Sequence, residues 1–524
     1  MHKQIKHFSF LRIFLLPFLI IIESIKLQAV EPLSLEQARV LALARSLNLK
    51  SQIEAYLATS DTAKAEKWVY EPELQAVARQ QITDRDNNAS QAASTNVNEF
   101  YQEESLYSVR LQNRLATGGT IALDYRLFDR INNIGSGGSI FNPNPSGNEY
   151  QRQFESFMGV TFEQPLLRKE NIENLGEQNA QNPRTRVQLA EKNADIAFQQ
   201  VRRELSNIIV QVEVAYWNLY TAIEEKRLRE ESLKVARDIL TENKKRVKLG
   251  KMAELDLLQT ESEIADREAR LEESNRKLHS ARNELNTSFS QFLVDQDFSF
   301  TPIDVPQIVP ITESWEDIAV DALHNHPEYL IRKKQVELEG LRLKYAENQR
   351  LPQLDLNLSY GFNGLGTSVS ESWDQINDFN KVDWFAGVIL NVPILGDRKA
   401  DEETSAARRR KQQALMNLKA VEIQILNLSV TTFKQLKSDF NTYQKSVQVV
   451  GFREELLEVE LAKLAEGKSS SREVFEIESE LSESKIESLR KMFDYQRTQI
   501  ELLVFQGIFL EERGIDVTRD QLVN

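Results

Sequence analysis

The chain contains few residues whose types and spacing could support chemistry. His324 and His326 could suggest a pair of metal ligands, but side chains two positions apart on a helix point in different directions. The Gly-rich stretches at 135–138 and 361–366 lack the strand-Gly-helix context of phosphate-binding loops. Cysteine is absent, which excludes thiolate metal sites and a cysteine nucleophile. We find no Ser-His-Asp or paired-carboxylate pattern in the sequence, and we predict no enzyme activity, no metal site and no cofactor.

The composition favours long helices with water on much of their surface. The 524 residues include 19 Gly and 13 Pro, so turns are scarce, and 27% of the residues are charged. The mean hydropathy of −0.45 argues against a lipid-embedded helical bundle. Because the formal charge is −14, nucleic acid is a poor candidate for a partner.

The N-terminus is typical of an export signal, which we predict over residues 1–29. Three basic residues precede an apolar run at 13–22 that is too short to span a bilayer as a helix, and Ala29 is a plausible cleavage point. The alternative is an uncleaved anchor. No later segment approaches the length of about 18 apolar residues that a spanning helix needs, so any further membrane-spanning part would have to be a β-barrel.

An internal repeat organises the rest of the chain. Residues 34–74 align without a gap with 314–354, and each copy opens with a capping-box pattern, at Ser34 and at Ser314. The predicted units are repeat 1 (30–300), repeat 2 (301–512) and a C-terminal tail (513–524). The predicted helices cover 183–249 and 251–292 in repeat 1, and 314–350, 397–466 and 469–510 in repeat 2.

The length and periodicity of these helices bear on function. A helix over 183–249 would extend roughly 100 Å at 1.5 Å per residue, which suits the crossing of a periplasm better than a compact domain. Apolar residues recur every seven positions between charged or small neighbours, which indicates a narrow coiled-coil seam. The seam of the second helix contains Leu257, Ile264, Leu271, Leu278 and Leu285. A dimeric coiled-coil rod gives the same periodicity. The strands must therefore decide between such a rod and an assembly that crosses the periplasm.

Six segments alternate apolar and polar residues as strands do. They lie near 73–83, 105–116, 119–129 and 153–165 in repeat 1, and near 353–362 and 382–392 in repeat 2. Lengths near ten residues with one apolar face are typical of outer-membrane barrels, although a one-sided soluble sheet shows the same alternation. The link at 117–120 is predicted to be a two-residue hairpin turn, whereas the other loops are long. Six strands cannot close a pore, so several subunits would share the barrel.

These features together resemble the TolC family of outer-membrane efflux proteins. The resemblance covers nearly the whole mature chain and rests on the tandem repeat, on Gln164-Pro-Leu-Leu, and on the turns at Gly250 and Gly467. It implies a mainly α fold with β: a trimeric α-helical barrel continuous with a transmembrane β-barrel, built from two tandem structural repeats per chain. The implied partners are two further copies of the chain, outer-membrane lipid, a periplasmic adaptor (membrane fusion) protein and an inner-membrane pump of the RND or ABC type.

The function that the resemblance implies is a passive gated export tunnel across the periplasm and the outer membrane. Such a tunnel would be the channel subunit of a tripartite efflux or type I secretion system. The alternative is a structural coiled-coil envelope protein without channel activity.

The resemblance also implies a site at the periplasmic tips of the helices. Carboxylates at the tips would form a gate or constriction, because rings of carboxylates in a symmetric pore select cations; the candidates are Glu473, Glu476 and Asp256. The alternative is that they are solvated helix-face charges. The implied adaptor contacts are Leu249, Gly250, Lys251, Gly467 and Lys468.

Two departures from the family pattern stand out. Where family members often carry a Tyr and an Arg that lock the closed state, this sequence has Leu464 and Ser469. Repeat 1 also contains an additional hairpin, since 93 positions separate Pro72 from Pro165 but 41 separate Pro352 from Pro393. The sequence leaves open whether this hairpin joins the barrel or packs elsewhere.

Overall fold

Long helices and one large sheet make up the part of the chain that the structure describes. The computed structural model describes residues 31–95, 98–133, 151–168, 183–250, 253–289, 300–394, 396–466, 468–515, 517–519 and 522. The predicted export signal and the turn residues Lys251 and Gly467 lie outside these ranges.

The described helices are α1 Leu35–Arg45, α2 Leu47–Lys67, α3 Ala89–Thr95, α4 Pro183–Lys248, α5 Glu254–Ser288, α6 Trp315–Asn325, α7 Pro327–Gln349, α8 Val369–Asn377, α9 Arg398–Ala465, α10 Ser471–Gln506 and α11 Phe509–Glu512. The described strands are β1 Glu31–Leu33, β2 Glu73–Asp86, β3 Glu99–Arg114, β4 Thr120–Asn132, β5 Gln151–Pro165, β6 Phe300–Pro302, β7 Gln353–Gly366 and β8 Val382–Asn391. A short 3-10 helix, Trp68–Tyr70, leads from α2 into β2.

The helices before the sheet are capped as the sequence predicts but are more divided than it suggests. Ser34 and Ser314 both form complete capping boxes with the third residue of the helix that follows. The single helix predicted over 314–350 is wrong in detail, because it breaks at His326 into α6 and α7. The break follows from Pro327, which has no N–H and keeps the preceding residue extended, with φ −62° and ψ 120°. Ser46 divides α1 from α2 in the same way without a proline.

Two other boundaries differ from their predictions. The last long helix ends at Gln506 rather than near 510, because Gly507 takes a left-handed conformation with φ 77°. The turn at 117–120 is not a two-residue turn. Gly118 has φ 93°, its N–H donates to the Leu115 carbonyl, and the Leu115 N–H donates to the Gly119 carbonyl. The connection is therefore a three-residue loop with a left-handed glycine.

One antiparallel sheet contains six strands in the order β2-β3-β4-β5-β7-β8. The strands of the additional hairpin are hydrogen-bonded within it, because β2 pairs with β3, β3 with β4 and β4 with β5 over nearly their whole lengths. The additional hairpin thus joins the sheet rather than packing elsewhere. Among the described residues, β2 and β8 have a paired neighbour on one side each, and both are exposed along most of their length.

The two faces of the sheet differ in polarity. One face, called here the apolar face, carries the side chains that pair directly across neighbouring strands as Leu111 with Leu123, Tyr125 with Met158, and Tyr360 with Trp384. The opposite, polar face carries charged pairs. These include Arg110 with Asp124 at 3.6 Å, and Arg130 with Glu104 at 2.7 Å.

The main core surrounds α4, which packs against α1, α2, α5, α7 and α10. Tyr216 on α4 is fully buried, and its hydroxyl donates to the Leu33 carbonyl and to Asp304, each at 2.8 Å. It thereby joins α4 to the parallel pair formed by β1 and β6. Glu213, also fully buried, pairs with Arg39 at 2.7 Å and Arg513 at 2.9 Å, which attaches both ends of the described chain to α4.

Candidate functional site

The first helix tip connects α4 to α5. Leu249 is exposed and Gly250 has φ 69°, a conformation that favours glycine and lets the chain reverse direction after a helix. Ala253 is the N-cap of α5 and makes no side-chain capping bond. Asp256 is half-buried and occupies the third position of α5.

The second tip connects α9 to α10 and is capped more completely. Ser470 is the N-cap of α10, its hydroxyl accepts from the Glu473 N–H at 3.3 Å, and the Glu473 carboxylate accepts from the Ser470 N–H. Lys468 pairs with Glu466 at 2.6 Å. Glu473 therefore occupies the third position of α10, as Asp256 does in α5, whereas Glu476 lies exposed one turn later.

A second carboxylate supports this turn. Ser469 donates its hydroxyl both to Glu460 on α9 and, at 2.8 Å, to Glu473. Lys463 pairs with Glu460 at 3.0 Å. The hydrogen bond from Ser469 and then the one from Lys463 lower the pKa of Glu460. At the second tip the Ser469 hydroxyl thus lies between two carboxylates, those of Glu460 and Glu473.

The structure brings the two tips together through a buried polar contact. Asn243, near the end of α4, donates to Thr260 of α5 at 3.0 Å and accepts from Ser471, the first residue of α10, at 2.9 Å. All three residues are buried. Since a buried polar group costs free energy unless it is paired, this contact specifies how the start of α10 sits against the α4–α5 hairpin.

A buried ion pair extends this polar contact away from the tips. The polar groups between α4, α5 and α10 are together called here the polar seam. Arg267 on α5 is 4% exposed and pairs with Glu478 on α10, which is 6% exposed. Arg267 also donates to the Ser232 hydroxyl of α4 at 2.6 Å and to the Ser232 carbonyl at 3.0 Å, and its guanidinium lies 5.4 Å from the centre of the Phe475 ring. One arginine therefore connects three long helices.

Further along the seam, two more charged groups join the same helices. Glu483 of α10 accepts from Arg229 of α4 at 2.7 Å. Burial opposes its ionisation, but Arg229 and the nearby Arg270 outweigh burial, so the pKa of Glu483 is lowered. Glu225 of α4 is buried and pairs with Lys277 at 2.8 Å and Arg490 at 3.2 Å.

The sequence-based predictions do not include the residues of this polar seam. The signal was present, because Arg267 follows the seam residue Ile264 by three positions, where a coiled coil normally places a second apolar residue. The corresponding positions on either side, Thr260 and Ser274, are polar and buried as well. The Ser470-to-Glu473 spacing is likewise a capping-box signal, so it offers a local role for Glu473 besides a gate.

The described residues offer no obvious chemistry. They contain no group of three or more His, Asp or Glu side chains placed to hold a metal ion. His324 is exposed and its Nδ1 lies 2.9 Å from the Val320 carbonyl, whereas burial lowers the pKa of His326. The arrangement at the tips can hold helices together and present carboxylates to solvent.

A comparison with protein families bears on the first hairpin. Residues 178–289, a stretch that includes α4 and α5, match the family model described as outer membrane efflux protein. The chain carries an outer membrane efflux protein domain. This match confirms the resemblance to the TolC family, and with it the location in the outer membrane with an extension into the periplasm. No curated protein matches the sequence of the chain.

Solved channel structures share the fold. The CmeC outer membrane channel of Campylobacter jejuni is 13% identical with a TM-score of 0.56, over 91% of this chain and 86% of its own. The outer membrane protein VceC of Vibrio cholerae is 14% identical with a TM-score of 0.57, over 90% and 96%. A membrane protein from Pseudomonas aeruginosa is 13% identical with a TM-score of 0.59, over 91% of both chains. At such identities the likeness establishes the fold alone. Within the described residues, every helix is too short or too polar to span a lipid bilayer.

Proposed function

We propose that this protein is the outer-membrane channel subunit of a tripartite export system, a passive gated tunnel driven by its partners. The observation that carries the proposal is the two-faced sheet joined to two long helical hairpins. An apolar face suits contact with lipid, and an opposite face of paired charges suits a water-filled lumen. The strands have 10 to 16 residues, enough for a tilted transmembrane strand, which needs about 9–11.

The exposed edges of the sheet support a closed oligomer. Strands β2 and β8 run in opposite directions, so β8 of one copy and β2 of the next would pair in the antiparallel sense that holds throughout the sheet. A closed barrel removes such edges. In the trimer implied by the family resemblance, three copies of this six-stranded sheet would supply eighteen strands. Barrels of about 16–18 strands leave an aqueous channel.

The helical hairpins support a tunnel that continues from the barrel. Helices α4 and α9 have 66 and 68 residues, each roughly 100 Å long. Along α9, Val449, Phe452, Leu456 and Val459 are exposed at heptad spacing, which is the pattern of a seam for a neighbouring helix. A neighbouring subunit would bury this stripe. The structural coiled-coil alternative gives no account of the two-faced sheet.

We place the gate at the helix tips, with Glu473, Glu476 and Asp256 as the carboxylates that three subunits would bring around one axis. Equivalent positions in α5 and α10 support Asp256 and Glu473, and exposure supports Glu476. A periplasmic adaptor would contact the tips near Leu249, Gly250, Lys251, Gly467 and Lys468. An inner-membrane pump of the RND or ABC type would supply energy and choose the substrate.

Single-channel conductance in planar bilayers tests both the function and the gate. Wild-type protein should give a small, cation-selective conductance, and the double variant Glu473→Gln/Glu476→Gln should lose that selectivity or conduct more. Gln is the better substitution because it removes charge yet can still accept the Ser470 N–H bond. Ser470→Ala is the matched control, since it removes the capping hydroxyl and keeps both charges. A conducting wild type with an unaltered double variant would refute the gate, and a folded oligomer that does not conduct would refute the channel.

A further inference from the structure

Helix α8, in the loop between β7 and β8, lies against the apolar face of the sheet. Ser372 of α8 and Ser156 of β5 are both buried; their hydroxyl groups bond each other, and the Ser156 hydroxyl also donates to the Ser372 carbonyl at 3.2 Å. Ser156 lies on the same face as Met158, two residues along the strand. The helix is therefore on the side of the sheet that we propose to face lipid.

Small residues in the sheet make room for this helix. Gly364 pairs directly with Ser156, and its carbonyl accepts from the Ser372 hydroxyl at 3.1 Å. A Cβ atom on Gly364 would overlap the Ser372 carbonyl group, and one on Gly366 would lie 2.7 Å from the Ser372 nitrogen. The side chains of the apolar face are large elsewhere, so the small residues at these positions form a recess, which α8 fills.

Two aromatic contacts fix the position of α8 along the strands of the apolar face. The ring of Trp373 lies 5.4 Å from that of Tyr125, and the ring of Phe379, just after α8, lies 4.8 Å from that of Phe362. Tyr125 and Phe362 both pair with Met158, so they belong to one row across the sheet. Phe379 has φ 53°, which is unfavourable for a residue with a side chain and indicates that packing holds it there.

The same face marks where the apolar band ends. Asp129 follows Tyr125 by four residues, about 13 Å along the strand, and it pairs with Arg152 at 2.7 Å. Trp373 and Phe379 pack against the row that contains Tyr125 and Phe362. They therefore lie on the apolar side of this charged row, at the level of the apolar band. They are nevertheless 40% and 62% exposed.

We propose that α8 is an interfacial helix embedded in the outer leaflet of the membrane, where Trp373 and Phe379 contact the acyl chains of the lipid. This inference rests on the proposed function, because it takes the apolar face as the lipid-facing surface of the barrel. Lipid is the expected contact of α8, because its exposed rings are continuous with the apolar face of the sheet. Trp is favoured at the boundary between acyl chains and head groups, and the exposed Glu371 and Asp374 on α8 give it a polar side for the head groups.

Site-directed spin labelling tests the inference, and a chain without cysteine suits it well. Single variants Phe379→Cys, Val388→Cys and Gln81→Cys would be labelled and placed in vesicles of phosphatidylethanolamine and phosphatidylglycerol. Val388 lies in the middle of β8 on the apolar face, and Gln81 lies on the polar face of β2. Labels at 379 and 388 should be relaxed more by oxygen than by a water-soluble nickel complex, and the label at 81 should show the reverse.

The outcomes separate this inference from the proposed function. A label in lipid at 388 with a label in water at 379 would overturn the placement of α8 and leave the channel intact. A label in water at 388 would overturn both. Because Phe379→Cys removes one packing ring, quenching by brominated phospholipid provides a second measurement. The quenched part of the Trp fluorescence should fall in Trp373→Phe, and an unchanged quenching would contradict the proposal.

Displacing the helix gives a further check. Gly364→Ala should force α8 away from the recess and remove the oxygen preference of the label at 379. Gly451→Ala is the control, because a Cβ atom there meets nothing within 4 Å. A label at 379 that responds equally to both substitutions, or to neither, would argue against the recess.

Discussion

The two long hairpins of this protein are built from helices of nearly equal length, yet they bury their side chains differently. In the first hairpin, α4 with α5, the middle of α4 is enclosed, and Ile209, Val212 and Leu219 are fully buried within one chain. In the second, α9 with α10, Phe452 and Leu456 lie in the half of α9 nearest the tip, and more than half of the surface of each is exposed. The middle of α4 is thus covered within a single chain, whereas the tip half of α9 leaves an apolar stripe exposed.

Helix α10 connects the two hairpins. It packs along α9 on one side and against α4 on the other. On the side of α4 and α5 its polar contacts run from the buried Ser471 and Glu478 to the exposed Arg490, which pairs with the buried Glu225. A buried polar seam fixes register more strictly than it adds stability, because each group must find its partner. The chain thus specifies the placement of α10 internally, whereas the exposed stripe of α9 suits the subunit contact proposed above.

The largest effect should follow from breaking the buried pair in this seam. Glu478→Ala would leave the buried Arg267 with only the partly exposed Glu263, at 3.0 Å, as a carboxylate partner, which should lower the free energy of unfolding by about 3 kcal/mol. Urea unfolding of the detergent-solubilised protein, followed by circular dichroism, measures this. Glu476→Ala, an exposed change on the same helix, should have little effect. Recovery in the double variant Arg267→Met/Glu478→Leu would assign the loss to the charge of Arg267 that has lost its partner. Equal losses in Glu478→Ala and Glu476→Ala would refute that assignment.

A matched pair of leucines tests the contrast between α4 and α9 directly. Leu219→Ala removes a side chain with 0% exposure and should cost about 2–5 kcal/mol in unfolding free energy. Leu456→Ala removes one with 56% exposure and should change the stability of the single chain little but weaken the oligomer. Unfolding in urea and sedimentation in detergent report the two effects separately. If Leu456→Ala left assembly unchanged, the exposed stripe of α9 would not be a subunit contact.

Local periodicity and capping were enough to locate most elements. The six strands of the sheet overlap the six alternating segments, because alternation of apolar and polar residues records which face is buried. The ends of α4 and α9 lie within one residue of their predictions, because Pro183 and the two Gly turns mark them. The break at His326 was also signalled, by Pro327, but the apolar pattern runs through it.

Contacts between distant segments could not be read from the sequence. Arg267 and Glu478 are separated by 211 residues, and nothing local indicates which buried helix faces which. The segment of α8 falls in one of the long loops that the sequence predicts, although Ser368 and Glu371 have the spacing of a capped helix. Its position depends on the recess at Ser156 and Gly364, which exists only once β5 and β7 are paired. The gate residues remain predictions, because they depend on copies of the chain around an axis.

The helix caps at the tips offer a smaller test of the same contrast. Ser470→Ala removes the capping bond of α10 and should cost about 1 kcal/mol. Ala253→Ser should do the opposite for α5, whose N-cap has no side-chain bond and whose third residue is the acidic Asp256, by a similar amount. Hydrogen exchange of the first-turn amides measures both, with protection falling at 471–474 in the first variant and rising at 254–257 in the second. A change of the same sign in both variants would contradict the capping argument.

The smallest effect concerns the kinks that precede the sheet, where the two halves of the chain use different residues. Ser46 caps α2 with its hydroxyl, which accepts from the Leu49 N–H at 3.1 Å, whereas His326 is half-buried beside Phe505 and makes no side-chain cap. Burial lowers the pKa of His326, so the folded protein keeps it neutral while the unfolded chain takes up a proton below its ordinary pKa of about 6.5. Stability should therefore fall as the pH drops through this range, and His326→Gln should reduce that slope. His324→Gln, at an exposed position two residues earlier, should not. Thermal unfolding between pH 7.5 and 5.5 decides, because an equal slope in wild type and His326→Gln would mean that this kink does not sense protons.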